Sequence, residues 1–483
     1  MLDPPPEGCA RLDAATIADL DLPLVFREID RTLTPTGNQA LWRWVISPAL
    51  DPAVLDERER RLAALADPAL RARIGKVLAT GTASSDAPFL PRLLWEPPVA
   101  APRARWFVLL LGLLFALIAG AVWLPSPGWI FAAVVLFAGN VLLDDWLNLR
   151  LAQQARALEV LGRLLANAQR LVRKRLLPPD LAAELAAELE PVKSLRKRIA
   201  VLAVRDPFDL ASVVRAGLLI RLIALARCLE LVDRERARLR RIVLWMGELD
   251  ALLSIHALRA ARPHHIPELD AALTGRDIVH PAVPDAIGND LALRDQSLLV
   301  TGSNMSGKST FLRAIGITAA LAQSIHTTFG PWRAPLVRVF AAMRINDDTE
   351  SGTSQYAAEV AALGHLVAAV GQRPPALFVV DEPFRGTNPA IRVPIVVHVL
   401  DYLAAHDFVV AATHDLDVAA RLSPRFERGY FCELDDQTFD RKLRPGVAPS
   451  HNAVALLARA GYPRELVQAI AVNIENSASS KAS

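Results

Sequence analysis

The chain has 483 residues, 52% of them hydrophobic and 22% charged, and carries a formal net charge of +3. That balance does not mark the whole chain as a nucleic-acid binder, and three distant cysteines, Cys9, Cys228 and Cys432, exclude a disulfide framework and a cysteine-based zinc site. The length predicts roughly three domains, and a mean hydropathy of +0.26 requires a local apolar segment to explain it.

The opening M-L-D-P-P-P-E is acidic and proline-rich, so no signal peptide is expected. Residues 24 to 79 predict helices from the spacing of L-W-R-W-V-I and V-L-D-E-R-E-R-R-L-A-A-L. Gly81 to Pro91 reads as a polar linker. From 106 to 143 there is no charged side chain, and P-S-P-G at Pro125 to Gly128 divides the run in two. A bilayer core about 30 Å thick needs about 20 helical residues, which the first half meets, while the second is near the lower limit. Trp106, Trp123, Trp129 and Trp146 lie near the four expected ends. Arg103, Arg105 and Arg150 flank the outer ends, so the positive-inside rule predicts two spans with both long flanks cytoplasmic. Helical patterning resumes after the hairpin and continues to about residue 261, with breaks near Pro178-Pro179 and Pro207. Its basic runs, Arg173-Lys174-Arg175 and Lys193 to Arg198, read as solvated faces or phosphate contacts. For His264, His265 and His280, no cysteine or close acidic cluster completes a metal-ligand set.

From Asp290 short apolar strands alternate with helices, the pattern of an α/β nucleotide-binding domain. A strand, L-L-V-T, runs into G-S-N-M-S-G-K-S at Gly302–Ser309 and then into a helical pattern. Gly302 and Gly307 let backbone amides close around phosphate oxygens, Lys308 reaches the β- and γ-phosphates, and the Ser309 hydroxyl is placed for Mg²⁺. The helix start favours an anion. A second apolar strand ends in Asp381 and Glu382, placed to organise Mg²⁺ and to polarise the attacking water. A third, F-V-V-A-A-T-H-D, ends in His414, placed against the γ-phosphate or that water.

These elements resemble the ATPase domain of the MutS family, within the ABC-type ATPases. T-G-S-N-M-S-G-K-S-T is similar to the family's T-G-P-N-M-G-G-K-S-T, so Ser303, Asn304, Met305, Ser306 and Thr310 join Gly302, Gly307, Lys308 and Ser309 as expected nucleotide-binding residues. D-D-T-E-S-G-T-S-Q-Y-A-A-E-V keeps the family positions at Asp347, Asp348, Ser351, Gly352, Ser354 and Glu359. D-E-P-F-R-G-T-N departs from the family's D-E-x-G-R-G-T-S at Phe384 and Asn388. His280-Pro281 and Gly288-Asn289-Asp290 resemble the family's entry into this domain. D-R-T-L-T-P-T-G-N-Q-A-L near residue 30 resembles the start of its helical core.

The resemblance implies a homodimer in which Ser351, Gly352 and Ser354 complete the partner's nucleotide site, with ATP and Mg²⁺ as cofactors and catalysis by Lys308, Glu382 and His414. Only about 25 residues precede the core-like segment, so the family's mismatch-reading domain is not expected. The expected fold is an α-helical N-terminal and lever region with a transmembrane helical hairpin, followed by an α/β P-loop ATPase domain of ABC type. Its expected parts are an N-terminal helical segment (1–95), the hairpin (106–143), a helical lever (144–265) and the ATPase domain with a helical tail (275–483). The leading functional expectation is a membrane-anchored ATPase whose dimer closes on nucleotide. Two alternatives stay open: a DNA-binding repair or recombination factor switched by ATP, and the ATPase component of a membrane protein complex with an unidentified protein partner.

Overall fold

In the computed structural model the described residues are 4–80, 88–97, 103–124, 126–202, 210–294, 296–303, 306–343, 355–384, 388–433, 439–447 and 461–470. The chain forms two compact units. One comprises 1–4, 29–44 and 57–261, and the other 5–28, 45–56 and 262–483. The N-terminal segment expected as one piece over 1–95 is thus divided between them, for reasons found in its side chains.

The first unit is helical. Its elements include α3 (Pro35–Val45), α4 (Pro52–Ala64), α5 (Pro68–Leu78), α6 (Phe89–Trp95), α7 (Ala104–Trp123), α8 (Pro127–Arg150), α9 (Ala152–Arg173), α10 (Pro179–Leu189), α11 (Lys193–Leu202), α12 (Leu210–Gly217), α13 (Ile220–Arg234) and α14 (Arg236–Ala261). They follow α1 (Ala14–Asp19) and α2 (Leu22–Ile29). The expected linker 81–91 is shorter than the sequence suggests, because α6 begins at Phe89 and buries Leu90 and Leu94. The guanidinium groups of Arg236 and Arg240 donate to the carbonyls of Glu96 (2.8 Å) and Leu94 (2.7 Å), satisfying groups that the short helix leaves open at its end. On α9, Leu158, Leu161, Leu165, Ala168 and Leu171 are buried at helical spacing, which sets one face against its neighbours.

The run at residue 30 has physical reasons for its polar residues. Asp30 accepts from the Thr32 amide (2.9 Å) and hydroxyl (2.7 Å) and from Asn38 Nδ2 (2.7 Å). Asp250 of α14, fully buried, accepts from the Thr34 amide (2.8 Å) and hydroxyl (2.7 Å) and from the Leu33 amide. A Cβ on Gly37 would stand 2.0 Å from Asp250 Oδ2, so only glycine leaves room for that carboxylate.

The hairpin α7–α8 is longer than the uncharged run, because α8 continues through Asp144 and Asp145 to Arg150. Both helices are long and apolar enough to cross a membrane. Most of their surface is uncovered by protein: Leu109, Val122, Trp123, Phe131 and Leu142 are 62 to 84% exposed. A hairpin buried in a soluble core would not leave such an apolar surface open. The polar Asn140 does not face outward. It is buried and its Nδ2 donates to the Gly217 carbonyl at 2.9 Å.

The second unit is built on two sheets. The smaller, in order β1-β5-β2-β3, contains β1 (Glu268–Leu269), β2 (Leu273–Ile278), β3 (Asn289–Leu293) and β5 (Trp332–Ala334). Strands therefore begin before the Asp290 boundary read from the sequence; these are short and only partly apolar, so periodicity does not reveal them. The larger sheet, in order β10-β9-β4-β8-β7-β6, contains β4 (Ser297–Thr301), β6 (Arg338–Ala342), β7 (Ala376–Asp381), β8 (Phe408–Ala412), β9 (Phe426–Glu433) and β10 (Phe439–Pro445). It is parallel from β9 to β6, with β10 antiparallel at one edge. Strands β7 and β8 are almost wholly buried, as their unbroken apolar sequences require. The helices of this unit are α15 (Lys308–Ser324), α16 (Gln355–Ala368), α17 (Pro389–Ala404) and α18 (Leu416–Arg421).

The N-terminal segment 5–28 closes the other edge. The Thr16 hydroxyl accepts from the Ala341 amide (3.0 Å), and Asp19 Oδ2 accepts from the Met343 amide (2.8 Å). The amides of Ala341 in edge strand β6 and of Met343 just beyond it are thereby paired by side chains rather than by another strand. A Cβ on Gly316 of α15 would lie 2.6 Å from Leu20, so glycine lets this segment sit close to α15. Gln323 holds the 45–56 segment: its Nε2 donates to the carbonyls of Ala49 and Val337, both at 2.9 Å.

Replacing Asp19 with Ala should strand the Met343 amide at a cost of about 1–3 kcal/mol. Hydrogen exchange read by mass spectrometry should then speed up in peptides covering β6 while those covering β4 are unchanged. Uniform protection in both would refute this role for Asp19.

Candidate functional site

The carboxyl ends of β4, β8 and β7 lie side by side, and ligands of open parallel sheets bind beyond such ends. After β4 the chain turns at Gly302 (φ +142°), where a Cβ would meet the Phe431 carbonyl at 2.8 Å, and again at Gly307 (φ +109°) before entering α15. Both glycines are required by the backbone path. Lys308 opens α15 and is only 4% exposed. Its ammonium donates to the carbonyls of Gly302 (2.8 Å) and Ser303 (2.8 Å), folding the loop over its own lysine.

Two carboxylates follow β7. Asp381 ends the strand, and Glu382 takes a left-handed conformation (φ +47°) in which its amide donates to the Ala412 carbonyl at 2.9 Å. Such a conformation is uncommon for a residue with a side chain and fixes where the carboxylate lies. Glu382 Oε1 stands 3.8 Å from Lys308 Nζ, and Oε2 is 2.7 Å from His414 Nδ1. Glu382 and Lys308 are buried while the imidazole of His414 is half exposed. The three expected catalytic side chains thus form one connected group at the ends of three strands. A buried ammonium and carboxylate of opposite sign offset part of each other's desolvation cost.

A cavity of about 270 Å³ opens beside this group. Gly307, Lys308, Ser309, Thr310 and Glu382 line one side of it. His280, Ile287, Phe431 and Arg441 line the rest. The Ser303 and Ser306 hydroxyl oxygens are buried without a hydrogen-bond partner, which suits a loop awaiting acceptor oxygens. Ser309 and Asp381 offer hard oxygen donors of the kind Mg²⁺ takes. Among the described residues no cluster of three His, Cys, Asp or Glu side chains could hold a metal ion. Asn304, Met305, Asp347, Asp348, Ser351, Gly352 and Ser354 lie outside the described residues.

Phe431 and Arg441 carry no local motif, and the sequence gives no sign of them. They arrive through the β9–β10 hairpin, more than 120 positions after the phosphate-type loop. Asn289 explains their placement: its Nδ2 donates to the Arg441 carbonyl (3.0 Å) and its Oδ1 accepts from the Leu443 amide (2.7 Å). His280 sits in the same wall. Its Nδ1 accepts from the Ala282 amide (3.3 Å), leaving the neutral ring's proton on Nε2. Burial and the nearby Arg313 charge hold its pKa below the ordinary histidine value.

Residues 298–477 match the family model for MutS domain V, and this stretch is homologous to that domain. The chain is 32% identical over 246 residues to a DNA mismatch repair protein MutS of Natronomonas pharaonis, covering 46% of this chain and 28% of that protein. It is 36% identical over 183 residues to the DNA mismatch repair protein MutS 2 of Haloarcula marismortui, covering 35% and 19%. It is 29% identical over 253 residues to a MutS of Thermus thermophilus, covering 49% and 30%. The chain thus spans less than a third of the length of these relatives.

Asp415, next to His414, caps α18 by accepting from the Asp417 amide (3.0 Å) and pairs with Arg392 at 2.7 Å. Burial pushes its pKa up, but the Arg392 hydrogen bond and charge and the helix-start amides outweigh this and leave it below the ordinary value. A depressed carboxyl stabilises the fold above the unfolded pKa of about 3.9 and loses that contribution as pH falls through its folded value. Thermal melts of Asp415→Asn from pH 7 to pH 3 should therefore begin lower at neutral pH and decline less in acid than the wild type. Parallel declines would show that this pair contributes nothing to acid stability.

Proposed function

We propose that the C-terminal unit binds and hydrolyses ATP, and that the α7–α8 hairpin anchors the chain in a membrane. The observation that carries the first part is the Lys308–Glu382–His414 group beneath a phosphate-type loop, in the part of the chain homologous to MutS domain V.

Nucleotide phosphates take over Lys308 from the Gly302 and Ser303 carbonyls, and the amides of the loop and the start of α15 surround them. Ser303, Ser306 and Thr310 supply hydroxyl contacts, and Asn304 and Met305 belong to the same expected set of nucleotide-binding residues. Ser309 and Asp381 would hold Mg²⁺, which would supply neutralisation of charge on the phosphate oxygens. Glu382 orients a water in line with the γ-phosphorus. The new P–O bond forms as the bond to the bridging oxygen breaks, the electron pair leaves on ADP, and the water's proton passes to Glu382 and then to phosphate. His414 holds Glu382 in place and reports the γ-phosphate. The aromatic Phe431 and the apolar Ile287 offer a wall for the nucleotide base. As in the resemblance drawn from the sequence, Ser351, Gly352 and Ser354 of a second copy complete the site, so that ATP closes a homodimer and hydrolysis releases it.

The membrane reading rests on the open apolar surface of the two helices and on arginines at one end only, with both long flanks cytoplasmic. A DNA-associated role is a second reading. It is supported by the relatives' names and by exposed basic side chains at Arg173, Lys174 and Arg175. A role within a larger membrane protein complex is a third.

Purified in detergent, Lys308→Ala and Glu382→Gln should each lower phosphate release by about a hundredfold or more. Undiminished turnover in either variant would sink the assignment. Membranes washed at alkaline pH should retain the wild-type chain, whereas deletion of residues 104–150 should release it. Release of both would overturn the anchor.

A further inference from the structure

The open end of the hairpin carries a second feature. Ala104 and Phe107 of α7 and Leu147 of α8 pack with Leu219, Leu222 and Ala226 of α13, and Leu110 and Ile223 pack against that cluster. The Ala104 amide donates to Glu230 Oε1 at 3.0 Å. Helix α13 therefore runs beside the first turns of α7 in the opposite direction. Its start lies deepest along the hairpin, and Glu230 lies at the mouth. The mouth is also where Arg105 lies over the Trp106 ring (5.3 Å) and Arg150 over the Trp146 ring (4.3 Å), the pairing of charge and aromatic found at a membrane interface.

A groove of about 340 Å³ follows the exposed face of α13, lined by Ile220, Ile223, Ala224, Arg227 and, from α11, Arg198. The four α13 positions are spaced at i, i+3, i+4 and i+7 and so fall on one face. Ile220 and Arg227 are two turns apart, about 10 Å. The groove is thus graded. Its apolar end, at Ile220, lies toward the interior of the hairpin, on the side of acyl chains, and its cationic end, at Arg227, lies one turn from Glu230 and so nearest the mouth, on the side of headgroups.

We propose that this groove binds an anionic phospholipid, with the phosphate between Arg198 and Arg227 and an acyl chain along Ile220, Ile223 and Ala224. The proposal rests on the membrane reading. Its charge and its grading select the ligand. A free phosphate would make no use of the apolar floor, and a zwitterionic lipid would gain less from two guanidinium groups. Part of the basic run Lys193 to Arg198 thereby acquires a task, since Arg198 turns into the groove while Lys193 pairs with Glu190 one turn away.

The full chain in neutral detergent should be titrated with short-chain phosphatidylglycerol, short-chain phosphatidylcholine, inorganic phosphate and duplex DNA at low salt, read by tryptophan fluorescence and thermal shift. Phosphatidylglycerol is expected to bind and to stabilise the chain, phosphatidylcholine about tenfold more weakly, and phosphate alone not at all. Arg198→Gln/Arg227→Gln should lose that preference about tenfold while keeping the wild-type ATPase rate, which shows that the variant is folded. Ile223→Asn should weaken both lipids alike. Equal affinity for the two lipids in the wild type, or an unchanged preference in the double variant, would overturn the site while leaving the anchor intact. Binding of phosphate alone would overturn it as well. Duplex DNA bound by the wild type and lost in the double variant would reassign the arginines to nucleic acid. A chain released from membranes by alkaline washing would bring down both the site and the anchor, and so separates the two failures.

Discussion

A lysine ammonium that is almost wholly buried must be neutralised and hydrogen-bonded, and much of the C-terminal unit follows from that constraint. Lys308 meets it with two carbonyls of its own loop and, further off, the carboxylate of Glu382. The carbonyls can turn inward because Gly302 and Gly307 adopt backbone angles closed to other residues. The carboxylate is in reach because Glu382 accepts a left-handed conformation, pinned by its amide to β8. His414 on the next strand end then holds the far oxygen. Parallel pairing of β4, β8 and β7 fixes all these ends at one level, so the site's precision comes from sheet register rather than from the loops. In the proposed reading, a phosphate entering here would replace these neutral acceptors of Lys308 with a charged one.

The central strands and the loop were legible in the sequence because buried parallel strands have unbroken apolar runs and the loop has glycines at fixed spacing. The helices flanking α9 and α14 were legible from their periodicity. The cavity's far wall was not. Phe431 and Arg441 reach it through strand pairing, and no local pattern encodes a partner that far along the chain. The division of the N-terminal region was equally hidden. Thr16 lies in the first turn of α1, which Asp13 caps, and Asp19 ends the same short helix. Their bonds to β6 are set by tertiary contact alone. Asp30, Thr34 and Gly37 lie between. The run was visible as a resemblance, but its cause, the buried Asp250, lies on another helix.

The helical unit combines two kinds of surface. Around α14 the apolar stripes are covered, and the buried Asp250 is paired with the Thr34 amide and hydroxyl. Along α7 and α8 the apolar side chains face outward, and the polar Asn140 is turned inward onto the Gly217 carbonyl. That inversion is what an apolar solvent demands of a helix pair. It reconciles a chain of nearly balanced charge with its high mean hydropathy, because the excess apolar surface is concentrated in one hairpin.

The pairing of Asp19 with Met343 also sets a timetable. The two residues are 324 positions apart, so Asp19 cannot meet this amide until synthesis has passed through the whole helical unit. At about 5–20 residues per second the wait is roughly 16–65 s. During that interval the N-terminal segment has only near neighbours, such as the Pro48 and Ile46 carbonyls that accept from the Ala10 and Leu12 amides, and the apolar hairpin has already emerged. The helical unit must therefore find its own surroundings before the second unit can close, and a strap that paired only with local neighbours would have imposed no such order.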